Sequence, residues 1–172
     1  MSYYPNVEAV EYIKNELFDE LKKINSDLKL FVVGGNPNSR VKKLESKDVI
    51  ITGYVESIES YMYKSKVAIY PIFSATGMQN KVLESMGAGI PCIISEECFK
   101  GIPNLKHEDN VIVAKNKEDY IHYYNKLIND SEYYVKIRDN AFEFVVNRYS
   151  WSRNCDNLTN LWSECSKNEV LV

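Results

Sequence analysis

Between Thr76 and Ser95 the chain reads TGMQNKVLESMGAGIPCIIS, and several of these residues have the types and spacing to hold a ligand. Gly77 permits close approach of the backbone to a bound group. A helix beginning there has first-turn amides without partners of their own, and together with the helix dipole they form a site for a phosphate. Lys81, near that helix start, reaches a phosphate the amides already hold. Glu84, one turn deeper, can accept two hydroxyl protons from a vicinal diol such as a ribose. On a helical wheel Met78, Val82, Leu83 and Met86 share the core-facing side, while Asn80, Lys81 and Glu84 share the other. A phosphate subsite beside a diol subsite is what a nucleotide requires. The same i,i+3 spacing also suits an ordinary surface ion pair between Lys81 and Glu84, worth roughly a few tenths of a kcal/mol. The residues alone leave both readings open.

Other constellations offer less. Gly34-Gly35 follows an apolar run and reads as a tight turn; GGNPNS lacks the third glycine of a dinucleotide fingerprint and contains Pro37. His107 and His122 stand apart from any cluster of metal ligands. Glu96-Glu97 and Glu108-Asp109 read as solvated loop charges. The chain has no D-x-D sequence, no G-x-x-x-x-G-K-[ST] loop and no nucleophilic triad pattern. The four cysteines, Cys92, Cys98, Cys155 and Cys165, lack paired metal-ligand spacing, and Cys92 inside an apolar run reads as a small buried hydrophobe.

The elements that must position these groups alternate along the 172 residues. Pro5-Asn6 starts a helix carrying Val10, Ile13, Leu17, Leu21 and Ile24 at three-to-four spacing. LKLFVVGG (28–35), DVIITGYV (48–55), KVAIYPI (66–72), GIPCIIS (89–95) and NVIVA (110–114) read as strands. Helices are expected over 39–45, around Ile58–Met62, after Gly77, over 118–128 and 131–147, and in a tail from Trp151 to about Ser166. Apolar strands separated by helices imply a parallel sheet covered on both faces, in one domain over 1–172. The formal charge of −3 provides no basic excess for a nucleic-acid partner. No signal peptide pattern or membrane-span-length apolar run is visible, which favours a cytoplasmic reading.

Taken with these elements, TGMQNKVLESMGAGIPCIIS resembles the donor-binding signature of GT-B-fold glycosyltransferases, in particular the retaining family 4 type. YYPNVEAVEYI resembles the first helix of that family's C-terminal domain. LKLFVVGGNP, VIITGYVESIESYMYKSKVAIYPI and DSEYYVKIRDNAFEFVVNRYSW follow its order and spacing, so the likeness runs along essentially the whole chain. It implies a Rossmann-like α/β domain, with a helical C-terminal tail, that binds a nucleoside-diphosphate sugar as substrate and uses no cofactor. Glu84 matches the second glutamate of the family's Glu-x7-Glu motif, the ribose ligand; the first, which touches the transferred sugar, falls at Thr76. The backbone of Gly77, Met78 and Gln79, with Asn80 and Lys81, would hold the diphosphate. Gly53, Tyr54 and Val55 match the loop against the nucleobase, and Gly34, Gly35 and Asn36 a neighbouring loop lining the site.

Relatives also carry an Arg and a Lys near the first strand-to-helix turn, where this chain reads MSYYPN. They have a strand just before this point and an N-terminal acceptor domain before that. The resemblance therefore implies the donor half of a larger glycosyltransferase, acting in cell-surface polysaccharide or glycolipid synthesis, with the isolated chain binding but not turning over. Its partners would be the nucleotide sugar and the parent's N-terminal domain, with any peripheral membrane contact made through the parent. Self-association is expected through Trp151, Cys155, Leu158, Leu161 and Trp162 of the tail. Two rivals remain: a nucleotide-sugar epimerase, which would need acid and base groups beside the sugar, and a non-catalytic interaction module.

Overall fold

A computed structural model of the chain describes residues 2–74, 77–149 and 159. Thr76 and the expected tail, with Trp151, Cys155, Leu158, Leu161 and Trp162, therefore lie outside the described residues, Thr159 apart.

Pro5 sits in the first turn of α1 (Tyr4–Tyr12), where its missing N–H costs no hydrogen bond. A π-helical segment, Ile13–Leu17, joins α1 directly to α2 (Phe18–Ile24). Strand β1 (Leu30–Val33) then leads through α3 (Ser39–Lys42) to β2 (Val49–Gly53). The two strands pair in parallel, with a register shift at Val32/Val33 that sets Val33 opposite Gly53. Gly53 has φ +67°, a conformation that suits glycine, and it ends the strand.

After α4 (Glu59–Met62) come β3 (Ala68–Tyr70), α5 (Asn80–Gly87), β4 (Cys92–Ser95), α6 (Glu96–Lys100), β5 (Ile112–Ala114), α7 (Lys117–Asn129) and α8 (Ser131–Tyr149). Strands β3, β4 and β5 form a second parallel sheet, with Ile93 of β4 opposite both Ile69 and Ile112. Strand β4 is buried along its whole length, and its side chains alternate between two cores as a pleated strand requires. Cys92 and Ile94 pack with Val82, Leu83, Met86, Ala141 and Phe144 on one face. Ile93 packs with Leu17, Leu21, Tyr120, Leu127 and Ile137 on the other. Helices thus cover both faces, the arrangement that continuous apolar strands call for.

Helix α1 joins the two sheets. Its Val7 and Val10 pack on Val32 and Val41 beside β1, while Ala9 belongs to the core around β4. Arg40 at α3 donates from Nε and a terminal nitrogen to the Glu11 carboxylate of α1, a forked geometry that fixes the two helices.

The alternating pattern read from the sequence is present, with two corrections. Glu96-Glu97 are not loop charges but the first turn of α6, where acidic side chains complement the helix dipole; Ser95 caps it by accepting the Cys98 N–H. Glu108 is likewise not simply solvated: its carboxylate accepts from Lys126 at 3.0 Å and Tyr133 at 3.2 Å, and the Lys126 bond holds its pKa below the usual carboxylate range.

Candidate functional site

The loops that carry the sequence candidates all follow carboxyl ends of parallel strands, the edge at which open α/β sheets bind ligands. Gly34, Gly35 and Asn36 follow β1; Gly53, Tyr54 and Val55 close and follow β2; Gly77 to Gln79 precede α5 on the segment that leaves β3. Asn36 adopts φ +51°, which asparagine tolerates better than most residues. Tyr54 is 83% exposed, an open aromatic face beside the end of β2.

Helix α5 begins at Asn80, three residues later than the glycine suggests. Gly77 has φ +84° and Gln79 is also non-helical, so the segment 77–79 is an approach to the helix rather than its first turn. That shift corrects the place of Met78. It precedes the helix and is 46% exposed, while Val82, Leu83 and Met86 form the buried face together with Ser85. Gln79 makes no side-chain cap, and the Asn80 and Lys81 amides have no hydrogen-bond partner among the described residues.

Lys81 and Glu84 do not form the surface ion pair that their spacing allows. The Lys81 amine instead donates to Asn6 Oδ1 in the first turn of α1, 75 positions away in the chain. Burial pushes the Lys81 pKa down, against a smaller upward pull from Cys98 and Glu84. Glu84 is exposed and has no hydrogen-bond or ion-pair partner among the described residues. A second link, from Ser74 Oγ to Glu8 Oε2 at 2.9 Å, ties the segment after β3 to α1. Underneath, the Tyr70 hydroxyl pairs with Ser85 Oγ at 2.7 Å and donates to the Lys81 carbonyl at 3.2 Å, anchoring α5 to β3.

Asn6, Glu8 and Ser74 were not among the sequence candidates, although Asn6 lies within the stretch that resembles a family helix. The two helix amino termini meet at Lys81 and Asn6, with the Glu84 carboxylate one turn along α5. Among the described residues no hydrogen bond joins Tyr54 or Val55 to α5; the β1–β2 pair is tied to α1 by the packing of Val7 and Val10 on Val32 and Val41. His107 is structural: its Nδ1 accepts the Val113 N–H at 3.0 Å and its Nε2 pairs with the Tyr123 hydroxyl at 3.2 Å.

The fold is thus a Rossmann-like parallel α/β domain with its candidate ligand groups at the carboxyl edge. The family of glycosyl transferases group 1 matches residues 1–130, and the chain belongs to that family. Comparison with curated protein sequences gives no match. Among solved structures, HepE from Anabaena, crystallised with UDP and with UDP-glucose, superposes with a TM-score of 0.72 at 14% identity, over 88% of this chain and 45% of that one. The C-terminal domain of the group 1 family protein LpcC from Francisella tularensis gives 0.65 at 18% identity, over 84% and 82%. TarM gives 0.66 at 15% identity, over 90% and 31%. The chain has the fold of a GT-B C-terminal domain and spans less than half the length of HepE.

Proposed function

We propose that the chain is the donor-binding half of a retaining glycosyltransferase, which moves a glycosyl group from a nucleoside-diphosphate sugar to an acceptor hydroxyl without a metal. The observation that carries this reading is the meeting of the α1 and α5 amino termini at Lys81 and Asn6, beside Asn80 and Lys81 amides and an exposed Glu84 carboxylate that have no hydrogen-bond partner among the described residues. Amides and a lysine amine supply positive charge where a leaving diphosphate develops negative charge, a kind of stabilisation that contributes heavily to transfer reactions. Glu84 accepts from the ribose hydroxyls, Tyr54 and the backbone of Gly53 and Val55 lie against the base, and Gly34 to Asn36 complete that side. Thr76 stands at the sequence position of the family's sugar-contacting glutamate.

The acceptor pocket belongs to another domain of the parent enzyme, so the isolated chain binds a donor without turnover. That HepE is crystallised with UDP and UDP-glucose supports a nucleotide sugar as the ligand class. Synthesis of a cell-surface polysaccharide or glycolipid in the cytoplasm is the setting we assign to the parent. The described residues contain no helix long and apolar enough to cross a membrane.

The test is a thermal-shift titration with UDP, GDP, ADP and their sugar conjugates, beside Glu84→Ala. A ligand at about 100 times its dissociation constant adds roughly 2.7 kcal/mol of stability. Glu84→Ala is expected to weaken the selected nucleotide by at least about tenfold, the lower end of the roughly 1.5–3 kcal/mol of a hydrogen bond to a charged group. A cooperatively folding chain that no nucleotide stabilises would overturn donor binding by the isolated chain. The interaction-module reading would then gain, since β1 and β3 each leave one edge without a strand partner among the described residues. Light scattering during size-exclusion chromatography would show whether those edges drive self-association.

A further inference from the structure

From its Ser95 cap to its Gly101 cap, α6 faces three backbone carbonyls, that of Tyr70 at the end of β3 and those of Ile72 and Gly77 in the segment after it. Ser95 Oγ donates to the Ile72 carbonyl at 2.5 Å, and Cys98 Sγ lies 3.9 Å from the Tyr70 carbonyl. A Cβ placed on Gly101 would fall 2.5 Å from the Gly77 carbonyl oxygen and 3.2 Å from its carbon. Residues 95, 98 and 101 recur every three positions and so share one side of this short helix. Gly101 itself caps α6 with φ −77° and ψ −11°, a conformation open to every residue type. The helix end therefore does not require a glycine. The space above it does, because a real Cβ does not approach a carbonyl oxygen that closely.

We infer that α6 is the shelf on which the ligand-binding backbone rests, and that Gly101 is a positioning residue whose missing side chain sets the height of Gly77. This inference rests on the proposed donor site. Cys98, Ile102 and Leu105 are buried in the core on both sides of Gly101, so the shelf is fixed. Gly77 is exposed, so an added methyl group displaces the loop and not the core. The displacement passes to Gln79, whose carbonyl accepts the Val82 N–H at 2.9 Å, and so to the Asn80 and Lys81 amides. Misplacing an aligned group by an ångström costs on the order of 100-fold in the rate of a reaction that depends on its position, and hydrogen bonds to a bound anion weaken steeply as their geometry is lost.

The experiment compares amide resonances of the full chain in wild type, Gly101→Ala and the exposed-neighbour control Lys100→Ala. In Gly101→Ala the resonances of Gly77 to Lys81 are expected to move well beyond the control, while those of Ile93 and Ile94 stay. Affinity for whichever of UDP, GDP or ADP stabilises the wild type should drop at least tenfold, with a melting temperature within a few degrees. A destabilised helix end alone would lower the melting temperature and leave the dissociation constant of the folded protein unchanged. Unmoved Gly77 to Lys81 resonances, or moved resonances with unchanged affinity, would overturn the positioning role. If the wild type binds no nucleotide, the donor reading fails, and the resonances still decide whether the shelf exists. Should Gly101→Ala not fold, Ser95→Ala, which removes the bond to Ile72, must move the same resonances or the inference fails.

Discussion

In Lys81→Met the affinity for a nucleoside diphosphate is expected to fall about 10- to 150-fold, while the chain folds no less stably at neutral pH. A hydrogen bond to a charged group is worth roughly 1.5–3 kcal/mol, which sets that range. Stability goes the other way because of where the amine sits. Its one hydrogen-bond partner among the described residues is the neutral Asn6 amide oxygen, and burial disfavours its charged form. Methionine keeps most of the stem's packing and removes the buried charge. The pH dependence has a definite sign. The folded chain binds the Lys81 proton less tightly than the unfolded chain, whose lysine titrates at 10.5. Between the lowered folded value and 10.5 the unfolded state carries more protons, so stability rises with pH. Urea unfolding of both proteins across that window should show the wild type catching up with Lys81→Met. A Lys81→Met protein that unfolds more easily and binds nucleotide normally would make the Asn6 bond a purely structural contact.

Ile93→Ala is expected to cost about 2–5 kcal/mol, the usual range for emptying a fully buried aliphatic site. Ile93 has no exposed surface, stands at the middle of the three-stranded sheet between Ile69 and Ile112, and packs into the core around Leu17, Tyr120 and Ile137. Strand β4 is covered on both faces, so neighbours cannot collapse easily into the vacancy. Chemical denaturation reads the loss directly. The nucleotide dissociation constant measured on the folded fraction should stay as it is, because Ile93 faces away from the core that supports α5. A loss below about 1 kcal/mol would mean that the site repacks and that the two cores are less separate than the alternation of β4 implies.

Strands and long helices were legible because apolar spacing records burial, and burial is what the sheet imposes. FVV, VII and CII each became strands, and the long helical runs of 117–129 and 131–149 differ from their expected bounds by a residue or two. Helix α6 was not legible: EECFK offers one buried side chain, too few to show a period. The spacing places the start of α5 at Gly77, but the positive φ of that glycine, which no sequence pattern records, makes it part of the approach to a helix that begins at Asn80. At the site, Lys81 and Glu84 could be found from spacing, but their partners could not. Asn6 and Ser74 meet α5 and α1 across separations of 75 and 66 residues, and no local pattern encodes such a meeting. Gly101 was equally hidden, since its reason lies in a carbonyl 24 positions earlier.

The division of the strands into two sheets also bears on how the chain opens. Strands β1 and β2 are sealed by a small cluster of Val7, Val10, Val32 and Val41, whereas β4 lies between two larger cores. Backbone amides of Phe31 to Val33 and Ile50 to Thr52 should therefore exchange with solvent through a lower-energy opening than those of Ile93 and Ile94. The loops assigned to the base stand on the more easily opened pair, and the loop assigned to the phosphates stands on the other. A nucleotide that spans them would fasten the weaker unit to the stronger one. Its arrival would then be recorded less as a change of shape than as a rise in cooperativity, with slow exchange spreading from β4 into β1 and β2.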